Sequence, residues 1–147
     1  MRSTCGLFGL TLLGIVTLPA AAEMPLRQPR ILPLETMTFD EVVRAHAAGT
    51  GCTWLGGKGF TRRIAMKEDR GVVKRGGQII TLQPAAGAKE VFPYTYHRWT
   101  GSGMDIAVED SGKRIGRGYE HVETIATLTL TEDGRTRSWP GRLNCGS

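Results

Sequence analysis

The clearest structural signal in the chain is the run Gly71-Val72-Val73-Lys74-Arg75-Gly76-Gly77-Gln78-Ile79-Ile80-Thr81-Leu82. Two short runs rich in β-branched residues lie on either side of a glycine pair. Glycine adopts the positive φ angles of a two-residue hairpin turn without a steric penalty. The run therefore predicts an antiparallel β-hairpin whose turn is formed by Gly76 and Gly77.

A second hairpin is predicted around Asp133 and Gly134. In the strand before this turn, Ala126, Leu128 and Leu130 alternate with threonines, which places the apolar side chains on one face. Such alternation is typical of an antiparallel sheet with one buried and one solvated face.

The chain beyond residue 51 repeats this character, with short apolar runs and glycine-rich breaks about every ten residues. We expect strands at residues 52–55, 60–66, 72–74, 78–82, 92–96, 104–108, 123–131 and 136–139. The sequence thus predicts an all-β domain over residues 52–147. It is a small antiparallel barrel of about eight strands or a two-sheet sandwich, and a barrel has the advantage of leaving no open strand edge.

One short helix is predicted before the sheet, within residues 38–51. Thr38 and Glu41 have the spacing of a capping box, which marks a helix start. Gly49 and Gly51 are expected to stop the helix. We expect it to cover one end of the sheet.

The N-terminus has the pattern of a secretory signal peptide over residues 1–22. A basic start, an apolar stretch and three alanines predict cleavage after Ala22. The apolar stretch is short for a bilayer span, and an uncleaved anchor is the alternative. Because Cys5 precedes the apolar stretch, it is not placed as a lipoprotein cysteine at the cleavage point. We therefore expect a periplasmic or secreted protein without a stable membrane anchor.

Cleavage would leave 125 residues (147 − 22), which suits one hydrophobic core. Residues 23–37 contain three prolines and predict an extended leader. Of the three cysteines, Cys52 and Cys145 remain after cleavage, and an even pair in an oxidising compartment predicts one disulfide. The alternative, a reactive Cys145, needs a nearby base that the sequence does not identify.

The formal charge is +5, from 19 basic and 14 acidic side chains. An exported basic domain favours an anionic surface, a polysaccharide or an acidic protein cleft over nucleic acid. A basic excess of this size is also common on inert domains. The sequence indicates no oligomeric state.

Catalytic and metal chemistry has little basis in the sequence. His46, His97 and His121 are far apart and none has metal-ligand spacing to another. The carboxylates form no recognisable catalytic pair, and there is no G-x-S-x-G nucleophile elbow. We predict a non-enzymatic protein with no metal and no cofactor, and a small envelope enzyme is the alternative.

Several segments follow one another in the order found in a known family. These are an opening cysteine, the hairpin that ends at Leu82, the small-residue segment Ala86-Gly87-Ala88-Lys89, the run from Trp99 to Val108 and a closing cysteine. In this order the chain resembles the membrane-bound or periplasmic inhibitors of C-type lysozyme, which are small exported eight-stranded β-barrels. The resemblance implies that the partner is a lysozyme or a related cell-wall hydrolase.

In that family a serine in the small-residue segment and a lysine shortly after the tryptophan enter the lysozyme cleft and engage its catalytic acids. Here Ala86 or Gly87 stands in place of the serine, and Gly101-Ser102 stands where the lysine is expected. The donors and cations that remain nearby are Lys89, Arg98 and Ser102.

We therefore predict a partner-binding edge formed by Lys89, Arg98, Trp99 and Ser102. A cation on a rigid loop pairs more strongly with carboxylates inside a cleft than at an open surface. Arg and Trp are also favoured at interface hot spots. The edge requires an exposed Trp99, whereas a buried Trp99 and a closed turn at Ser102 would argue against it. The alternative is a structural or ligand-binding envelope protein without inhibitor activity.

Overall fold

The computed structural model describes residues 32–92 and 95–146. The predicted signal peptide, its cleavage site and residues 23–31 of the leader lie outside the described residues. In chain order the elements are α1 (Phe39–Arg44), β1 (Gly51–Gly56), β2 (Thr61–Lys67), β3 (Arg70–Arg75), β4 (Gln78–Pro84), β5 (Glu90–Phe92), β6 (Thr95–Tyr96), β7 (Arg98–Gly101), β8 (Met104–Arg117), β9 (His121–Glu132) and β10 (Arg135–Gly146). No helix in this part of the chain is long and apolar enough to cross a membrane.

Eight of the strands form one closed antiparallel barrel in the order β1-β10-β9-β8-β7-β4-β3-β2. β5 and β6 form a separate two-stranded sheet between β4 and β7. The prediction of an all-β domain with one short helix before it is confirmed. Of the two predicted architectures, the barrel is the one that forms.

The two predicted hairpin turns are also confirmed. Gly76 and Gly77 have φ angles of 57° and 75°, and Asp133 and Gly134 have φ angles of 49° and 70°. Consecutive positive φ angles are those of a type I′ turn, whose twist matches that of the flanking strands.

Two strands extend well beyond their predicted ranges. β8 runs to Arg117 and β10 runs to Gly146, whereas the sequence predicted that they end at residues 108 and 139. Both pair with β9 over nearly its whole length. The ladder with β9 therefore holds weak strand formers such as Gly116 and Pro140 in the strands.

The barrel interior is filled by apolar side chains, among them Trp54 and Trp99, which are fully buried. Trp54 lies against Gly56 and Gly141, which are opposite each other on β1 and β10. A Cβ atom on Gly141 would lie 2.4 Å from Cζ2 of Trp54 and 2.5 Å from the carbonyl oxygen of Leu55. Glycine at this position therefore makes room for the indole ring.

The predicted disulfide is present between Cys52 and Cys145. The two cysteines are directly opposite each other on β1 and β10. Because these are the first and last strands in sequence, the bond links the two ends of the barrel domain.

The described part of the leader, residues 32–37, packs against the barrel. Leu34 is fully buried and belongs to the barrel core. The Glu35 N–H donates to the carbonyl of Lys74 at 2.8 Å, and Nη1 of Arg63 donates to the carbonyl of Leu34 at 2.8 Å. Residues 32–37 are therefore an integral part of the fold, and we call them the strap.

The helix begins with the predicted capping box between Thr38 and Glu41. It ends at Arg44, earlier than the glycines predicted, because His46 adopts a left-handed φ of 57°. The expectation that it covers one end of the sheet is wrong. Instead, Val42 packs with Ala65 of β2 and with residues of β3 and β4, on the outer face of the barrel.

Stability should depend on pH through Glu41. Its carboxylate accepts hydrogen bonds from Nζ of Lys74 at 2.7 Å and from the Thr38 N–H at 2.8 Å, and these lower its pKa from 4.5 to about 2. A carboxyl whose pKa is depressed by folding stabilises the fold when it is ionised. The stabilisation is present above the unfolded-state pKa and disappears as the pH falls from about 4.5 through about 2.

We therefore expect the urea midpoint of the wild type to fall more steeply between pH 5 and pH 2 than that of the Glu41→Gln variant, which lacks this titration. Equilibrium urea unfolding at a series of pH values measures the difference. Parallel pH profiles for the two proteins would show that the ion pair with Lys74 contributes nothing to stability.

Candidate functional site

The structure places Trp99 in the core, which corrects its predicted role as a partner-binding residue. Its side chain is fully buried, and Nε1 donates to the carbonyl of Tyr96 at 2.8 Å. The indole lies against Gly71, where a Cβ atom would be 2.9 Å from Cε3. Because Gly71 has no side chain, the ring fits inside the barrel and is not available to a partner.

Ser102 lies at the exposed tip of a closed turn between β7 and β8. Ser102 and Gly103 have φ angles of 49° and 75°, and the Thr100 hydroxyl donates to the carbonyl of Met104 at 3.2 Å. This is a third type I′ hairpin turn. The turn is at the far end of β7 from Arg98, and Trp99 is buried, so the four predicted residues do not form one surface patch.

Arg98 is exposed at the start of β7 and forms an ion pair with Asp105 of β8, with 3.0 Å between Nη2 and Oδ2. An exposed pair of this kind contributes little to stability. It does orient the guanidinium along the outer face of the barrel. A partner would therefore meet Arg98 together with its neighbouring carboxylate.

Lys89 lies on the loop of residues 85–89 between β4 and β5, which we call the Lys89 loop. Four hydrogen bonds hold the backbone of this loop. Within the loop, the Ala88 N–H donates to the Ala85 carbonyl (3.0 Å), and at one end the Ala85 N–H donates to the Arg98 carbonyl (3.0 Å). At the other end, the Lys89 N–H donates to Nδ1 of His97 (2.9 Å), and the His97 N–H donates to the Lys89 carbonyl (3.1 Å). The loop backbone is therefore held on both sides.

The side chains of the Lys89 loop are small except for that of Lys89. Ala86 and Gly87 are exposed at the apex, where Gly87 has a φ of 70°. Lys89 is exposed, and its ammonium forms no ion pair with any residue of the described ranges. The loop thus presents one cation without an ion-pair partner in the described ranges. Beside it are only small side chains, so another protein can approach the loop backbone closely.

A second surface feature is an apolar groove on the outside of the barrel, which we call the outer groove. It has a volume of about 650 Å³. The residues that line it are Gly57, Phe60, Ile115, Ile125, Trp139, Pro140, Gly141 and Arg142. They come from the β1–β2 turn and from β8, β9 and β10, so the groove exists only because the barrel closes.

Arg142 crosses the outer groove beside Phe60. Its guanidinium carbon lies 4.0 Å from the centre of the Phe60 ring, which is a cation–π contact. On its other side, Nη1 pairs with Oε1 of Glu123 at 3.2 Å. The contact with Arg142 therefore fixes the position of the Phe60 ring, which forms one wall of the groove.

The sequence analysis did not predict the outer groove. Phe60, Ile115 and Ile125 are far apart in the chain, and each is an isolated apolar residue. One signal was available: Ile125 lies on the same face of β9 as Thr127, the face expected to be solvated. A single aliphatic residue on a solvated face is common on protein surfaces, so this signal alone does not indicate a site.

The three histidines lie in different places: His46 lines a pocket with Glu41, His97 binds the backbone of Lys89, and His121 lines another pocket. The pocket that His121 lines, near the disulfide, has no Asp or Glu among its lining residues. No three His, Cys, Asp or Glu side chains in residues 32–92 and 95–146 come together as metal ligands would. Comparison of the chain with protein-family models, curated proteins and solved structures finds no match.

Proposed function

We propose that the chain is an exported binding protein that inhibits a C-type lysozyme or a related cell-wall hydrolase, with the Lys89 loop as its contact. The observation that carries the proposal is the exposed ammonium of Lys89, which has no ion-pair partner among the described residues and lies on a backbone tied by four hydrogen bonds. A loop that is already ordered loses little conformational entropy when it binds. Its charge complements the acidic cleft of a glycoside hydrolase.

Lysine suits this role for a chemical reason. Its ammonium is a compact charge with three donors, and it can reach two carboxylates at once from a flexible stem. Glycoside hydrolases usually use a pair of carboxyl groups, one of which must donate a proton. An ammonium placed between them would block the substrate and would lower the pKa of the proton donor.

A periplasmic or secreted location is part of the proposal. The signal-peptide pattern of residues 1–22 supports it, and so does the Cys52–Cys145 disulfide, because such bonds persist in oxidising compartments. Cell-wall hydrolases act in the same compartments, so the two proteins would meet.

Replacement of the Lys89 charge is the direct test. The variant Lys89→Gln should raise the inhibition constant for C-type lysozyme at least tenfold, which corresponds to about 1.4 kcal/mol of binding free energy. The measurement is the rate at which lysozyme clears a cell-wall suspension while the purified protein is titrated in. The matched control is Lys113→Gln, which removes an exposed lysine from β8 and should leave the inhibition constant unchanged.

Two outcomes would contradict the proposal. If the wild-type protein leaves lysis unchanged at a large molar excess over several lysozymes, the inhibitor function is wrong. If Lys113→Gln weakens inhibition as much as Lys89→Gln, the effect depends on net charge and not on the Lys89 loop.

A further inference from the structure

We propose that the outer groove binds a single-chain anionic amphiphile, of which a long-chain fatty acid is the simplest example. The alkyl chain would lie along the apolar walls, and the carboxylate would lie at the end of the groove beside Gly57. The groove shares no residue with the Lys89 loop, so the two proposals stand separately.

The apolar walls are the first observation. Phe60, Ile115 and Ile125 are 45%, 43% and 38% exposed, although each is a large hydrophobic side chain. They converge on one concave space of about 650 Å³, which lies within the size range of small-molecule sites, about 300 to 1,000 Å³. Covering them with an alkyl chain would remove this apolar surface from water.

The floor of the groove is also apolar. It contains Pro140 and Gly141, which have no polar side-chain atoms, and Trp139, which is 7% exposed. Trp139 belongs to the barrel core and is the one tryptophan among the residues that line the groove. Its emission therefore supplies a spectroscopic probe of a molecule bound there.

The charges near Gly57 are the second observation. Lys58 is exposed in the same turn and forms no ion pair within the described residues. Arg63 reaches the groove rim, since a Cβ atom on Gly57 would lie 2.8 Å from its Nη2 atom.

The contacts of Arg63 leave its charge uncompensated. It donates to the backbone carbonyls of Gly56 and Leu34 and to no carboxylate in the described ranges. Together with Lys58 and Arg142, it gives this end of the groove three cations. Among the described residues they have one carboxylate partner, Glu123, which pairs with Arg142. An anionic head group would balance the excess positive charge.

The shape favours one bound molecule over a bilayer. A protein that inserts into a bilayer presents apolar side chains that project towards the lipid. Here Phe60 holds a ring face against Arg142 and forms a wall of the groove. The apolar side chains thus line an open groove, along which a single alkyl chain can lie.

The test is calorimetric titration of the purified protein with dodecanoate below its micelle concentration, with tryptophan fluorescence recorded in parallel. We expect saturable binding of one molecule per chain and a change in tryptophan emission. Dodecyltrimethylammonium, with the same chain and the opposite charge, should bind at least tenfold more weakly. The double variant Ile115→Ser, Ile125→Ser should lower the affinity for dodecanoate at least tenfold.

The head-group site is tested with Lys58→Gln, which should weaken dodecanoate binding severalfold and leave dodecyltrimethylammonium binding no weaker. Arg44→Gln, an exposed cation on α1, is the matched control and should not change either affinity. All the substituted residues are at least partly exposed, and thermal unfolding of each variant checks that it folds.

Four results would overturn the proposal. The first two are equal affinities of the protein for the two amphiphiles and the absence of saturable dodecanoate binding. The third is an isoleucine double variant that still binds dodecanoate with wild-type affinity. The fourth is a protein that binds anionic phospholipid vesicles but does not bind monomeric dodecanoate. The last result would assign the groove to a membrane surface. If saturable dodecanoate binding is absent and the protein self-associates in a way that the double variant abolishes, the groove would be assigned to a second copy of the chain.

Discussion

Loss of the Cys52–Cys145 disulfide should lower the free energy of unfolding by about 4 to 5 kcal/mol, because the bond closes a loop that spans 93 residues. In the unfolded chain this cross-link excludes the conformations in which residues 52 and 145 are far apart, which lowers the conformational entropy of the unfolded state. In the folded barrel the two cysteines are already opposite each other on β1 and β10, so the bond constrains little that the ladder has not ordered.

The measurement is equilibrium urea unfolding of the wild type and of the double variant Cys52→Ala, Cys145→Ala. Alanine is preferred to serine because Cys52 is buried, and a hydroxyl there would need a hydrogen-bond partner. A reductant should move the wild-type midpoint to that of the double variant and leave the double variant unchanged. Equal urea midpoints for the wild type and the double variant in the absence of reductant would mean that the stability of the barrel does not depend on the disulfide.

The features that were predicted correctly have signals within a few adjacent residues. Gly76-Gly77 and Asp133-Gly134 specify type I′ turns by their own backbone preferences, whatever surrounds them. The capping box of Thr38 and Glu41 is local in the same way. Turns of this kind at regular spacing are sufficient to predict an all-β domain.

The choice of barrel over sandwich depends on pairs that are distant in sequence. β1 pairs with β10 and with β2, and this closure places Cys52 opposite Cys145. The lengths of β8 and β10 likewise depend on their partner β9. Residues such as Gly116 and Pro140 have low strand propensity by themselves, so composition predicted shorter strands than the ladder supports.

The two candidate surfaces were predictable only in part. Lys89 was identified because it is a cation in the small-residue segment that carries the resemblance to the lysozyme inhibitors. The burial of Trp99 depends on Gly71 of another strand, and no pattern around Trp99 indicates which neighbour it will meet. The outer groove is still less local: the pairing of β8 with β9 brings Ile115 near Ile125, and Phe60 joins them only through the closure of the barrel.

The strap is the least expected part of the fold, and a single substitution tests it. Leu34→Ala should lower the free energy of unfolding by about 2 to 5 kcal/mol, the usual range when a fully buried leucine is truncated and leaves a cavity. The loss should also weaken the hydrogen bonds that the strap backbone makes with Lys74 and Arg63.

The matched control is Leu32→Ala, two residues earlier in the same strap, where the side chain is partly buried against the core. Because less apolar surface is covered there, its effect should be clearly smaller. Urea unfolding measures both variants, and hydrogen exchange of the Glu35 amide, which donates to Lys74, reports the strap itself. If Leu34→Ala costs no more than Leu32→Ala and the Glu35 amide exchanges at the same rate, then Leu34 does not anchor the strap. The barrel core would then be complete without the segment that precedes α1.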